Sequence, residues 1–370
     1  MPYRHRLWIA ATLGIAVLVS AALVRVAPRV SAGSTAGTPA VSGVALVNGA
    51  TRRPVLGLSP LTDGTVIDLT RLPGRDLGLR ANAPGPATFT LTGANGGGFT
   101  RTAPDGYVDC PLLDTPDAYT LTVRAGTGAP YTVHFTVTGT AAAAPPVDVL
   151  FVGNSLLGTV NRGSGEDAPA LVRHLACAAG RALNVTEVIH SGYTLRQTWD
   201  DGLVATVLSG ATRFDFIVLQ EYSTLVATNP SAATDTLLRT YAPTFARALK
   251  PGGRVVLFKN WALVDPSPFP SRAAAKAAID TNYAALSAAL PTPNLLAPIG
   301  DEFETIIAAE GPSSLIVADG KHPNDAAVYL DAVTLYGILL RESPRHLPDL
   351  YLPAPVASKL RSVAATAIGY

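Results

Sequence analysis

The feature that most limits how this chain can fold is a change of hydrophobic period across "GTAAAAPP", residues 139–146. Before it, apolar and polar residues alternate one by one. In "PYTVHFTVTG", Tyr131, Val133, Phe135 and Val137 alternate with Thr132, His134, Thr136 and Thr138. "AYTLTVRAG" repeats the pattern, and "TVIDLT", "LGLRANA" and "ATFTLTG" are similar short runs between Gly, Pro, Asn and Asp turns. A period of two turns one side of each strand to a core and the other to water. These runs therefore predict an antiparallel β-sandwich, with His134 on its wet face. After the boundary the alternation stops. "VDVLFVG", "LNVTEVI", "FDFIVLQ", "GRVVLF" and "PNLLAPI" are continuous apolar runs, separated by helical periodicity over 167–179, 232–249 and 273–290. Strands apolar on both faces, alternating with helices, predict a parallel sheet covered on both sides.

The rest of the composition narrows the class. The 370 residues suffice for two domains, and 48% apolar with 15% charged residues fits neither a disordered chain nor a polytopic membrane protein. A net charge of +1, without basic and aromatic residues interleaved, gives no case for nucleic acid as a partner. The N-terminus has its own signature. "MPYRHR" is basic, and residues 7–24 form an uncharged apolar run, so 1–26 reads as an uncleaved anchor or a signal peptide, with "VSA" at 30–32 as a small-residue cleavage site. Residues 27–43 follow as a Gly/Ser/Thr/Pro-rich linker. Either reading sets the body of the protein outside the cytoplasmic membrane, touching it only through this segment. Cys110 and Cys177 fall in different predicted domains. Two buried free thiols are the expectation, with an interdomain disulfide as the alternative in an oxidising compartment. No metal site follows from them.

In a sheet of this kind ligands sit beyond the carboxyl ends of the strands, so what each apolar run delivers at its end matters. The first ends in Gly153-Asn154-Ser155, the second in His190-Ser191-Gly192, the third in Gln220-Glu221-Tyr222-Ser223 and the fourth in Lys259-Asn260-Trp261. Ser155 at the end of a buried strand is either a helix N-cap or a nucleophile whose oxygen faces the N–H groups of a following helix. Further on, "ADGKHPNDAAVYL" sets Asp319 and His322 three residues apart, just before an amphipathic helix whose first turn would take Pro323. On a turn that spacing lets the carboxylate bond imidazole Nδ1–H and leave Nε2 for a serine, the pair a weak hydroxyl nucleophile needs. A capping Asp beside a surface His is the plainer alternative. Of six histidines, His5, His134, His174 and His346 fall elsewhere; His190 has no carboxylate nearby in sequence, whereas His322 has Asp319.

The "GNS" turn, the glycine after the second strand, the amide after the third and the late Asp-x-x-His together resemble the SGNH (GDSL-type) hydrolase superfamily, from residue 147 to the last core helix. That resemblance implies a flavodoxin-like three-layer α/β domain over 147–370; the alternating region before it reads as an immunoglobulin-like sandwich over 44–139, with a linker over 140–146. It implies Ser155 as nucleophile, His322 as general base and Asp319 as its orienter. Gly192 would supply an oxyanion-hole N–H, and no cofactor is needed. Two departures stand out: the first block reads Gly-Asn-Ser, and the third reads "VLQEYS" where the family has Gly-x-Asn-Asp. The side-chain oxyanion donor is therefore reassigned to Gln220. The implied activity is hydrolysis of acyl esters, O-acetyl groups of an envelope or extracellular polysaccharide above all. A lipid or lysophospholipid esterase, or a carbohydrate-binding protein with a degenerate hydrolase domain, are the alternatives.

Overall fold

The structure is a computed structural model that describes residues 41–48, 52–72, 77–95, 98–109, 116–139 and 146–370. The N-terminal segment, most of both linkers and Cys110 lie outside the described residues. Among those described, no helix is long and apolar enough to cross a membrane.

The described residues of the alternating region form eight strands: β1 (Val44–Asn48), β2 (Thr65–Asp68), β3 (Leu77–Ala81), β4 (Ala87–Gly93), β5 (Gly98–Ala103), β6 (Tyr107–Asp109), β7 (Asp117–Ala125) and β8 (Tyr131–Thr138). They make one sheet in the order β1-β3-β6 and another in the order β2-β8-β7-β4-β5. Leu79 and Val108 from the first meet Phe89, Leu121, Val133 and Phe135 from the second in one core. The expected antiparallel pairing holds with one exception: β2 runs parallel to β8. His134 is exposed, as the period predicts.

Beyond residue 146 strands and helices alternate. The order is β9 (Val147–Gly153), α1 (Ala168–Ala178), β10 (Leu183–Ile189), α2 (Leu195–Asp200), α3 (Leu203–Ser209), β11 (Phe214–Leu219), α4 (Leu225–Thr228), α5 (Pro230–Asp235) and α6 (Ala242–Ala248). Then come β12 (Leu249–Phe258), α7 (Arg272–Ala289), β13 (Asn294–Ala297), α8 (Ile299–Glu310), α9 (Asp325–Leu340) and α10 (Ala354–Ala367). The five strands are all parallel, in the order β10-β9-β11-β12-β13. This is a flavodoxin-like doubly wound α/β sheet. Alternate residues of one strand feed opposite cores. Val149 and Phe151 pack with α1, α8, α9 and α10, while Leu150 and Val152 pack with α2, α3, α6 and α7. Continuous apolar runs are the consequence of that double burial. The chain order reverses between β10-β9 and β11, so the crevice for a ligand lies at the carboxyl end of β9.

Two helices depart from expectation. The periodicity over 232–249 is carried by α5, a π-helical stretch (Thr236–Tyr241) and α6 rather than by one regular helix. The helix after His322 is not amphipathic: α9 is buried on nearly every side because α1, α8 and α10 all pack on it. It carries Asp331, wholly buried, with no hydrogen bond to either carboxylate oxygen. The nearby buried Glu302 of α8 accepts a bond from Thr334 Oγ1 at 2.6 Å. Cys177, on α1, is disulfide-bonded, which corrects the expectation of a free thiol there.

Candidate active site

The sheet places Ser155 just past the end of β9, at the switch in strand order. The expected helix does not follow it. Residues 154–158 instead close a single turn, with Leu157 N and Gly158 N donating to Asn154 O at 3.1 and 2.9 Å, and α1 begins only at Ala168. Asn154 is buried and bonded on three sides. Its N–H donates to Gln220 Oε1 (2.9 Å), its Nδ2 to Tyr193 O (2.9 Å), and its Oδ1 accepts from Leu156 N (3.2 Å). Asn154 thus supplies a donor that ties the turn at Ser155 to the loop after β10.

His322 comes to Ser155 from far along the chain. Its Nε2 lies 2.8 Å from Ser155 Oγ, and its Nδ1 lies 2.6 Å from Asp319 Oδ2. Because Asp319 takes the Nδ1–H, Nε2 is the nitrogen free to accept the serine proton. The loop that holds this pair is itself pinned. Asp319 Oδ1 accepts from the backbone N–H of Lys321 (2.9 Å) and His322 (3.0 Å). Lys321 O accepts from Trp261 Nε1 (3.1 Å), and Gly320 O from Val264 N (2.9 Å). Gly320 turns the loop at φ +75°, a conformation that favours glycine. Slight burial pushes the Asp319 carboxyl up, but the His322 imidazole and the two backbone donors outweigh it and hold the carboxyl at about 2. Pro323 stands before the helix cap, not in the first turn. Asn324 is the cap, accepting from Ala326 N and Ala327 N at 3.0 Å.

Gln220 does not take the place expected of it. It is fully buried, with both ends engaged. Its Oε1 receives the Asn154 N–H, and its Nε2 donates to Glu221 O and to Asn260 Oδ1 (3.3 Å). Reversing the amide would set its NH₂ against the Asn154 N–H, so the orientation is fixed. A β-carbon on Gly153 would stand 2.8 Å from Gln220 Oε1; glycine there lets the amide lie behind the turn. Both amide protons are engaged within the protein, so Gln220 stands as a strut between strand ends. Asn260 Nδ2 extends the strut to Glu221 O at 2.8 Å, so side chains link the ends of β9, β11 and β12. Beside it, burial pushes the Glu221 carboxyl up to about 7, against bonds from Tyr222 N (2.6 Å) and Leu195 N (3.0 Å) that pull the other way.

Gly192 lies in an exposed turn after β10 at φ +80°. Its loop is tied to the turn at Ser155 by the Asn154–Tyr193 bond and by His190 N, which donates to Gly153 O at 3.0 Å. His190 of the same loop belongs to a further histidine–carboxylate pair that the sequence did not reveal. His190 Nδ1 is 2.8 Å from Asp201 Oδ2, and its ring lies 5.3 Å from that of Tyr193. All of α2 separates the two partners in the chain. Among the described residues no group of three or more His, Cys, Asp or Glu side chains is placed to hold a metal.

No family model and no curated protein matches the chain. Solved structures of similar fold include a DUF4886 family protein from Bacteroides uniformis, 15% identical over 61% of this chain and 95% of that one, at a TM-score of 0.49. An acetylxylan esterase from Geobacillus stearothermophilus is 16% identical over 52% of this chain and 94% of that one, at a TM-score of 0.40. A lipase/acylhydrolase from Enterococcus faecalis is 14% identical over 56% of this chain and all of the other, at a TM-score of 0.38.

Proposed function

We propose that the chain is a serine esterase acting through an acyl-serine intermediate. One observation carries this reading: the unbroken hydrogen-bond chain Ser155–His322–Asp319, set at the strand-order switch. His322 Nε2 takes the Ser155 proton as Oγ attacks the ester carbonyl. Backbone N–H groups of Ser155 and Gly192 meet the developing oxyanion. His322 then gives its proton to the departing alkoxide, and a water activated the same way releases the acid. Asp319 stays ionised throughout and steadies the imidazolium.

The substrate we assign is a short acyl ester, O-acetyl above all, on a polysaccharide outside the cytoplasmic membrane. A disulfide at Cys177 supports an oxidising compartment, and the basic-then-apolar N-terminus supports export. A lipid ester is the second reading. It is favoured by the exposed Tyr193 and Val264, which lie on the loops bonded to Asn154 and Gly320. A series of nitrophenyl esters of rising acyl length separates the two, alongside acetate release from an O-acetylated polymer. Labelling by a fluorophosphonate, lost in Ser155→Ala, tests the nucleophile itself. An unlabelled wild-type chain would return the protein to the non-catalytic, carbohydrate-binding reading.

A further inference from the structure

The outer face of the five-stranded sheet in the sandwich is a threonine surface in ordered ranks. In one rank Thr132, Thr122, Thr90 and Thr100 stand opposite one another on β8, β7, β4 and β5. Their hydroxyls bond in pairs, Thr122 with Thr132 and Thr100 with Thr90, each at 3.2 Å; Thr88 and Thr102 pair likewise at 2.8 Å. The next rank runs His134, Thr120, Thr92, and beyond it lies Thr136 opposite Ala118, with Ala94 bonded to Ala118 through its backbone. There the pairing stops. Among the described residues the hydroxyls of Thr92, Thr120 and Thr136 have no hydrogen-bond partner in the protein.

The surface also dips at that place. Ala118 and Ala94 are too short to reach the level of their neighbours, which leaves a depression of about 320 Å³, edged by Thr92, Thr120, His134 and Thr136. The volume sits at the lower end of the range for small-molecule sites, roughly 300–1,000 Å³. The imidazole at its rim is held in place. Asp63 Oδ1 accepts the His134 backbone N–H at 2.6 Å and lies 3.2 Å from Nδ1, so Nε2 is the nitrogen without a partner. Asp63 faces the His134 ring, and the edge carries no further charged side chain.

We propose that this depression is a binding site for one ring of a neutral saccharide. A sugar ring offers what the site offers in complement: hydroxyls that both donate and accept, around a C–H face that can rest on alanine. Three free threonine hydroxyls and an imidazole nitrogen meet the hydroxyls, while Ala118 and Ala94 meet the C–H face. An anion would find no cation unbalanced by a carboxylate, and an acyl chain would leave the threonine hydroxyls unpaired. The inference deepens the polysaccharide reading above and rests on it for the source of the sugar. Its site, however, lies outside the residues of the proposed reaction, and its test uses no turnover.

The test uses the full chain carrying Ser155→Ala, run through gels containing O-acetylated glucomannan, with dextran sulfate as the charged control. The expected result is retardation by glucomannan and none by dextran sulfate. Ala118→Leu, which fills the depression, and Thr120→Val, which removes one hydroxyl at constant size, should each weaken glucomannan binding about tenfold or more, a loss of roughly 1.4 kcal/mol. Should Ala118→Leu disturb folding, seen in its melting transition, Thr120→Val decides alone. The proposal is overturned if glucomannan fails to retard the parent, if dextran sulfate retards it equally, or if Thr120→Val binds like the parent. Retardation by a chain whose wild-type form resists fluorophosphonate would sink the esterase reading and leave this site standing.

Discussion

Gln220 Oε1 accepts the backbone N–H of Asn154 at 2.9 Å, one residue before the proposed nucleophile, and the amide that does so has no proton left for a substrate. In the proposed reaction the side chain therefore acts only through the backbone of the turn. Gln220→Ala leaves a buried N–H unpaired, a cost of about 1–3 kcal/mol, so the melting temperature and turnover should fall together. Fluorophosphonate labelling should slow as well, because Ser155 loses its fixed position. A hundredfold loss of turnover at unchanged melting temperature would restore Gln220 as an oxyanion donor.

Asp319 fixes which nitrogen of His322 faces Ser155. Asp319→Asn can donate to Nδ1 and stabilise the other tautomer, so turnover should drop by roughly 10⁴-fold, as in serine triads generally. Binding of a non-hydrolysable ester analogue should hardly change. The Asp319 carboxyl is held at about 2, below its ordinary value. Its contribution to stability and to orientation is therefore present above the ordinary carboxylate range and lost only as the pH falls toward 2. A pH–rate profile on wild type should show no loss that tracks an acid titrating near 4 in this dyad. A tenth or more of wild-type turnover in Asp319→Asn would remove it from the reaction.

Asp331 sits in the opposite regime. Burial, and then the charge of Glu302, push its carboxyl well above the ordinary value. A raised acid stabilises the fold when protonated; that contribution is complete below the unfolded value and fades as the pH rises through the folded one. Asp331→Asn keeps the shape and removes the titration. The difference in melting temperature, variant minus wild type, should therefore grow from pH 5 to pH 9. A difference that stays flat across this interval would mean the carboxyl ionises without cost in the fold.

Cys177 is disulfide-bonded, and the sequence holds one other cysteine, Cys110. Reductant, or Cys177→Ser, should lower stability by about 2–4 kcal/mol, the usual contribution of a native bridge. Thermal melts with and without reductant measure it. Equal melts for the oxidised and reduced chain would contradict a stabilising role and weaken the case for an oxidising compartment.

The parts of this fold that the sequence exposed are those where one local rule decides. The double burial of β9 and β11 makes their residues apolar without a break, so period alone separates them from the sandwich strands. Asp319 and His322 were legible because both lie within one short loop. His190 and Asp201 were not, since they meet only after α2 turns the chain back. Gln220 shows the other limit: its position at a strand end was readable, but the direction of its amide depends on Asn154 and Asn260, which arrive from neighbouring strands. The turn after Ser155 reads in sequence like a helix start, because Gly-Asn-Ser suits a tight turn and a helix cap equally well.

Acid and base travel together in this protein. The Asp319–His322 geometry is settled within a few residues, so of the two side-chain contacts joining Ser155, His322 and Asp319 only the 2.8 Å from His322 Nε2 to Ser155 Oγ spans the domain, across 167 positions of chain. Activity is then a gauge of a single closure, the seating of the loop before α9 on the carboxyl edge of the sheet. A chain that loosens α9, even slightly and far below its melting point, should go silent as an enzyme while its sheet remains intact by circular dichroism.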